Sequence, residues 1–187
     1  TLHGPLPAGS PADCTPATVL GSVHPMPVAA DGGYGVPRVV VAVPGVYSWD
    51  AAVAGDRFNL PAVTCGPPVT VKAVPRLSIE PTKDRIAVGG SLRGRITVAA
   101  LDDGYADVAR ARLFGPFDTR ADARCTDARQ VRNRGVTVTG PVSTGTTDVI
   151  TLNRAGVYAW RAALPRGPLA LHAATTCGAP GTFVTVR

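Results

Sequence analysis

Gly156-Val157-Tyr158-Ala159-Trp160 stands 111 residues after Gly45-Val46-Tyr47-Ser48-Trp49, and the same offset carries Leu2, Gly4, Pro5, Cys14 and Thr15 onto Leu113, Gly115, Pro116, Cys125 and Thr126. Solenoid units repeat every roughly 20 to 50 residues, so a period this long describes a whole domain written twice. Cys65-Gly66 returns as Cys177-Gly178, 112 residues on, which gives each copy one early and one late cysteine. The 187 residues therefore read as two domains, repeat 1 over 1–74 and repeat 2 over 75–187. They are joined by Val71-Lys72-Ala73-Val74-Pro75-Arg76, where one proline and no Gly/Ser tract predict a stiff link and an end-to-end rod.

Aromatic residues make up 5% of the chain, against 21 glycines and 18 prolines, and no long helical period is present. That balance predicts short strands joined by turns, an all-β fold. Repeat 2 shows it most clearly. Leu77-Ser78-Ile79 alternates up to Pro81, and Leu92, Gly94, Ile96 and Val98 alternate with Arg93, Arg95, Thr97 and Ala99, as a half-buried strand with an arginine-bearing face should. Asp102-Asp103-Gly104 supplies turn chemistry for a hairpin, with Ala109, Ala111 and Leu113 on one face of the return strand and Arg110 and Arg112 on the other. Further strands are expected at 136–139, 149–152, 157–163, 169–174 and 182–186. Seven or more such strands without a crossover helix predict an immunoglobulin-like β-sandwich in each repeat.

One early and one late cysteine per copy suit a disulfide within each repeat, Cys14 with Cys65 and Cys125 with Cys177, with buried free thiols as the alternative, and no Cys-x-x-Cys pair offers zinc spacing. Each bridge would close a loop worth roughly 3 to 4 kcal/mol in the chain-entropy model. Disulfides persist in oxidising compartments, so an extracellular or cell-surface location is expected. The longest conspicuous apolar run, 39–43, is far too short to span a bilayer, and no membrane insertion by this segment is expected.

Tyr47 and Trp49, and likewise Tyr158 and Trp160, fall two apart on one strand face. They are expected to fill a core beside the disulfide; a sugar-stacking platform is the alternative. At its start repeat 1 differs, because Thr1 aligns with Arg112 and nothing stands for the two or three strands between about Pro75 and Ala111. Three arrangements are open: the chain is an excerpt of a longer array, strands of a neighbouring molecule fill the gap, or the domain closes without them. In the second, a groove lined by valine and leucine stays open to strand donation, and copies assemble into filaments.

Little else in the chain carries chemistry. His3, His24 and His172 do not recur at the period and predict surface or satisfied strand residues. No nucleophile elbow accompanies any Ser-His-Asp set, and no calcium loop surrounds Asp102, Asp103 and Asp107. The formal charge is +6, with only two lysines among the 19 basic residues. Arg120, Arg124, Arg129, Arg132 and Arg134 form the one dense basic stretch, a candidate contact for an anionic cell-wall polymer. Nucleic acid is disfavoured, since repeat 1 carries no arginine in the equivalent segment and aromatics are not interleaved. No cofactor is expected.

Taken together, Leu113-Phe114-Gly115-Pro116-Phe117, Cys125-Thr126, Gly156-Val157-Tyr158-Ala159-Trp160 and Cys177-Gly178 resemble a repeat domain of large exported proteins of actinobacteria. In that pattern a strand ending in Leu-Tyr/Phe-Gly-Pro-Phe precedes a cysteine, followed by Gly-x-Tyr-x-Tyr/Trp and a closing Cys-Gly. The resemblance covers nearly all of repeat 2 and the corresponding part of repeat 1, where Leu2-His3-Gly4-Pro5-Leu6 is a degenerate version. It implies a stalk or surface-fibre module and supplies no catalytic residue. An acidic residue often follows the aromatic pair in that family; here the positions are Asp50 and Arg161. The expected role is a non-catalytic structural module of a stalk, fibre or adhesin, partnered by neighbouring copies or domains, with a carbohydrate or wall-polymer binding module as the alternative.

Overall fold

A computed structural model describes residues 1–23, 25–28 and 32–187. The chain is all-β and divides into two compact units, Thr1–Lys72 and Ala73–Arg187. The division falls two residues before the boundary that the linker proline suggests. Ala73 is held by unit 2: its N–H donates to the Leu169 carbonyl at 2.8 Å, and its carbonyl accepts from Leu171 N–H at 2.9 Å.

Unit 1 forms one sheet from β1 (Leu2–Leu6), β2 (Val19–Gly21), β3 (Gly45–Val53), β4 (Ala62–Cys65) and β5 (Val69–Val71). The strand order is β2-β1-β3-β4, with β5 also paired to β3. Unit 2 runs through β6 (Arg76–Pro81), β7 (Arg85–Ile86), β8 (Gly90–Leu92), β9 (Gly94–Ala99), β10 (Ala106–Phe117), β11 (Gln130–Thr139), β12 (Ser143–Thr146), β13 (Ile150–Leu152), β14 (Gly156–Leu164), β15 (Ala173–Ala174) and β16 (Phe183–Val186). Its larger sheet has the order β11-β10-β14-β16-β7, with β15 on β14; β12-β9-β6 and β13-β8 make up the remainder. Alternation fixes which side chains meet between them. Ile96 and Val98 of β9, Leu113 of β10, Val138 of β11, Ile150 and Leu152 of β13, and Trp160 of β14 are each no more than 2% exposed and share one core.

The two units pair their shared strands in the same register. Leu2 lies opposite Trp49 and Leu6 opposite Val46 in unit 1, as Leu113 lies opposite Trp160 and Phe117 opposite Val157 in unit 2. Leu2 faces Gly21 and His3 faces Val19; 111 residues on, Leu113 faces Arg132 and Phe114 faces Gln130. Short 3-10 turns at Pro16–Thr18 and Asp127–Arg129 also correspond.

The repeated sequence motifs meet in space. Gly4-Pro5 and Gly115-Pro116 are both cis, with glycine φ values of 122° and 138°. At Gly115 a Cβ would lie 2.8 Å from both the Tyr158 ring and the Val157 carbonyl, so the first glycine is required by backbone conformation and by space. The tyrosine beneath it turns back on its own chain. Tyr158 donates its hydroxyl to the Arg154 carbonyl at 2.9 Å, and Tyr47 donates to the Val43 carbonyl at 2.6 Å.

Two expectations change. Asp102-Asp103-Gly104 does not close a hairpin, because β9 pairs with β6 and β12 whereas β10 pairs with β11 and β14. The chain arches from one sheet to the other: Ala100 takes φ 61°, and Leu101 and Tyr105, each 5% exposed, enter the core on either side of the turn. The second change concerns the disulfides. Cys14–Cys65 and Cys125–Cys177 are bridged, with Cα separations of 5.9 and 5.7 Å, but the second bridge does not lie beside Tyr158 and Trp160. Cys125 packs with Phe114, Phe117, Val157 and Ala159 on the opposite face of the large sheet, since successive side chains of β14 point to opposite sides. The bridge staples the outside of the sandwich.

Candidate functional site

The feature that sets the units apart is the face of the unit 1 sheet that carries Leu2, Tyr47 and Trp49. Leu2 and Tyr47 are buried, at 6% and 4% exposed, as their counterparts Leu113 and Tyr158 are at 0% and 2%; the difference lies at Trp49, whose counterpart Trp160 is 0% exposed under cover from β6, β8, β9, β12 and β13. In unit 1 no strand among the described residues lies over the face. Trp49 is only half-buried, which corrects the expectation that both tryptophans are core. Val69 is 56% exposed, where Val184, its counterpart opposite the tyrosine, is 0%.

Two connected hollows occupy this face. One of about 460 Å³ is lined by Leu2, Pro5, Leu20, Val43, Tyr47 and Trp49 among others. Another of about 350 Å³ shares Leu2, Val39, Val41, Tyr47 and Trp49 and extends to Val69 and Val71. The stretch over the rim, 36–43, is apolar and lies outside any strand, with Val36, Val39, Val40 and Val43 between 43% and 81% exposed. Among the described residues 36–43 join no strand, and with the half-buried Trp49 they line an apolar groove.

The five arginines singled out from sequence have different local partners. Arg120 stacks over the Phe183 ring at 5.3 Å, beside a hollow that also holds Glu80 and Asp84. Arg124 donates to the Ala121 and Ala123 carbonyls at 3.0 and 2.9 Å, and Arg129 to Pro116 at 3.4 Å. Arg132 and Arg134 stand opposite Leu113 and Ala111, on the core-facing side of the outermost strand, and Arg134 reaches Asp148 at 3.9 Å. A different pair is closer set. Arg112 and Arg161 lie directly opposite each other on β10 and β14, on the outer side, with the exposed Asp127 at 3.7 Å from Arg112. The alternating Arg110-Ala111-Arg112 was visible in the sequence; its partner Arg161 needed the register.

His3 is 2% exposed. Its Nδ1 lies 3.0 Å from Thr18 Oγ1 and its Nε2 3.5 Å from Asp50 Oδ1. The arrangement has the members of a hydroxyl-His-carboxylate set without its polarity, because the Thr18 hydroxyl is directed at the Thr15 and Asp13 carbonyls at 3.0 and 3.3 Å. A hydroxyl proton so engaged is not handed to the imidazole, so the set reads as packing in the place that Phe114 fills in unit 2. His172 is exposed, and His24 lies outside the described residues. Among the described residues no group of three or more His, Cys, Asp or Glu could hold a metal, and no helix is long and apolar enough to cross a membrane. Asp13 and Asp56 sit below the usual carboxylate range, chiefly because the backbone N–H groups of Thr15 and of Phe58 donate to them; both are loop staples.

No protein-family model and no curated protein matches the chain.

Proposed function

We propose that the chain is a pair of tandem immunoglobulin-like β-sandwich repeats that serves as a non-catalytic, disulfide-stapled segment of an extracellular or cell-surface stalk, fibre or adhesin. The observation that carries this reading is the identical pairing register of the two units, Leu2 with Trp49 and Leu113 with Trp160. Duplication that keeps the scaffold while single side chains diverge, the half-buried Asp50 against Arg161 and the buried His3 against the buried Phe114, is how an array lengthens. An active site gains nothing from it. The tyrosine that bonds back four residues upstream in each unit supports an immunoglobulin-like corner, although the bridge outside the core departs from antibody domains. The resemblance to exported actinobacterial repeats agrees with two disulfides, which point to an oxidising compartment.

A second reading, binding of an anionic wall polymer, is favoured by one observation only, the opposed Arg112 and Arg161. Like charges placed directly across a sheet destabilise it, so an anion between them would be welcomed.

Antibody labelling of intact producing cells, before and after shaving with protease, tests the first reading. Surface signal that is lost on shaving, from a chain whose four cysteines are blocked to alkylation until reduced, is the expected result. A cytosolic protein with free thiols would overturn it. Retention of the chain on purified cell wall, lost in Arg112→Ala/Arg161→Ala, would favour the second reading instead.

A further inference from the structure

We propose that the apolar groove beside Trp49 in unit 1 is a receptor for an extended strand of the kind that covers unit 2, supplied by a further repeat of the same type. The proposal rests on reading the two units as copies of one domain, and it names the partner's chemistry. In unit 2 the covering strand is the run through β8 and β9. Its first part pairs Gly90, Ser91 and Leu92 with Leu152, Thr151 and Ile150, and its second pairs Arg95, Ile96, Thr97 and Val98 with β12. Stepping back 111 residues from β13 gives 39–41, and from β12 gives 32–35; neither stretch is in a strand. Both partners of the covering strand are present in unit 1 as sequence, and neither has folded into the ladder it makes in unit 2.

Side chains specify the occupant further. In unit 2 Gly94 sits against the indole of Trp160, so closely that a Cβ there would lie 3.1 to 3.2 Å from three ring atoms. Leu92, Ile96 and Val98 follow at the same face, 3%, 0% and 0% exposed. Trp49 offers the same indole at the same register position, with no glycine over it among the described residues. The occupant is therefore a strand that carries glycine over Trp49, a leucine two residues before it, and β-branched residues two and four after it. Charge agrees: residues 1–72 hold three basic and four acidic side chains, so the outward Arg93 and Arg95 of such a strand meet no excess of like charge. Main-chain pairing to 39–41 would supply affinity, and the glycine seat would supply specificity.

The test uses the whole oxidised chain and a synthetic peptide of residues 88–100. Trp160 is 0% exposed, so acrylamide-quenchable fluorescence reports Trp49. Saturable loss of quenching on adding the peptide is expected, together with new hydrogen-exchange protection at 39–41. The Gly94→Val peptide should bind at least about tenfold more weakly, the equivalent of about 1.4 kcal/mol. Equal binding of the Gly94→Val or a scrambled peptide would overturn the proposal, as would no binding at all. So would a chain that shields Trp49 by dimerising while residues 88–100 keep their exchange protection in unit 2, since the occupant would then not be a strand of this kind. A surface-exposed, disulfide-bonded chain that ignores the peptide would sink this inference alone and leave the stalk reading standing.

Discussion

Trp49 and Trp160 occupy the same motif and the same register, yet one is half-buried and the other fully buried. The difference lies in what covers each, so Trp160→Ala should cost about 3 to 5 kcal/mol of unit 2 stability and Trp49→Ala less than half as much in unit 1; paired thermal melts of the two variants check the contrast. Tyr47, Tyr105 and Tyr158 are all pushed above the ordinary tyrosine value by burial. Because the folded state then favours the neutral phenol, this contribution to stability is complete below about pH 10, the unfolded value. It is lost as pH rises through the higher folded values. Melting temperature should accordingly fall steeply on the alkaline side, and Tyr47→Phe/Tyr158→Phe should flatten the fall while lowering stability at pH 7 by about 1 to 3 kcal/mol, since two backbone carbonyls lose their donor. Gly115→Ala, at φ 138° and against Tyr158, should cost at least about 2 kcal/mol. A neutral result there would mean the glycine-proline corner is not built as described.

At the scale of elements, alternation in the sequence identified β6, β9 and the inward row Leu92, Ile96 and Val98 correctly, because a period of two is a property of the strand itself. It failed where the answer depends on which strand lies next door. The turn at Asp102-Asp103-Gly104 has the residues of a hairpin and serves as an arch between sheets, and nothing local distinguishes the two. For the same reason the cysteines indicated disulfide bonding, but not that Cys125 would pack behind the sheet, away from Trp160. The stretch 39–41 makes the dependence measurable. Its valines favour a strand as strongly as Ile150-Thr151-Leu152 do, but only the latter has β8 to pair with. Amide exchange should be fast across 39–41 and slow across 150–152; comparable protection would mean that unit 1 already has its covering strand.

For the whole molecule, the repeated motifs are legible in the sequence, and the structure adds that the two units bury very different cores. Unit 2 packs twenty buried residues into one core, whereas among the described residues of unit 1 the buried apolar ones are Leu2, Val46 and Tyr47. Unit 1 should therefore lean harder on its disulfide, and mild reduction should unfold it first. Calorimetry of the oxidised chain should resolve two transitions, and reduction should abolish the lower one.

Pulling the chain from its two ends, one molecule at a time, with and without reductant, shows whether the two units are separately stapled. Each bridge locks a sequence separation of 51 or 52 residues, which at about 3.3 to 3.6 Å per residue hides roughly 170 to 180 Å of chain. The oxidised molecule should extend in two events that leave those lengths hidden, and reductant should release both, one per unit. A single event, or an extension unchanged by reductant, would contradict the account.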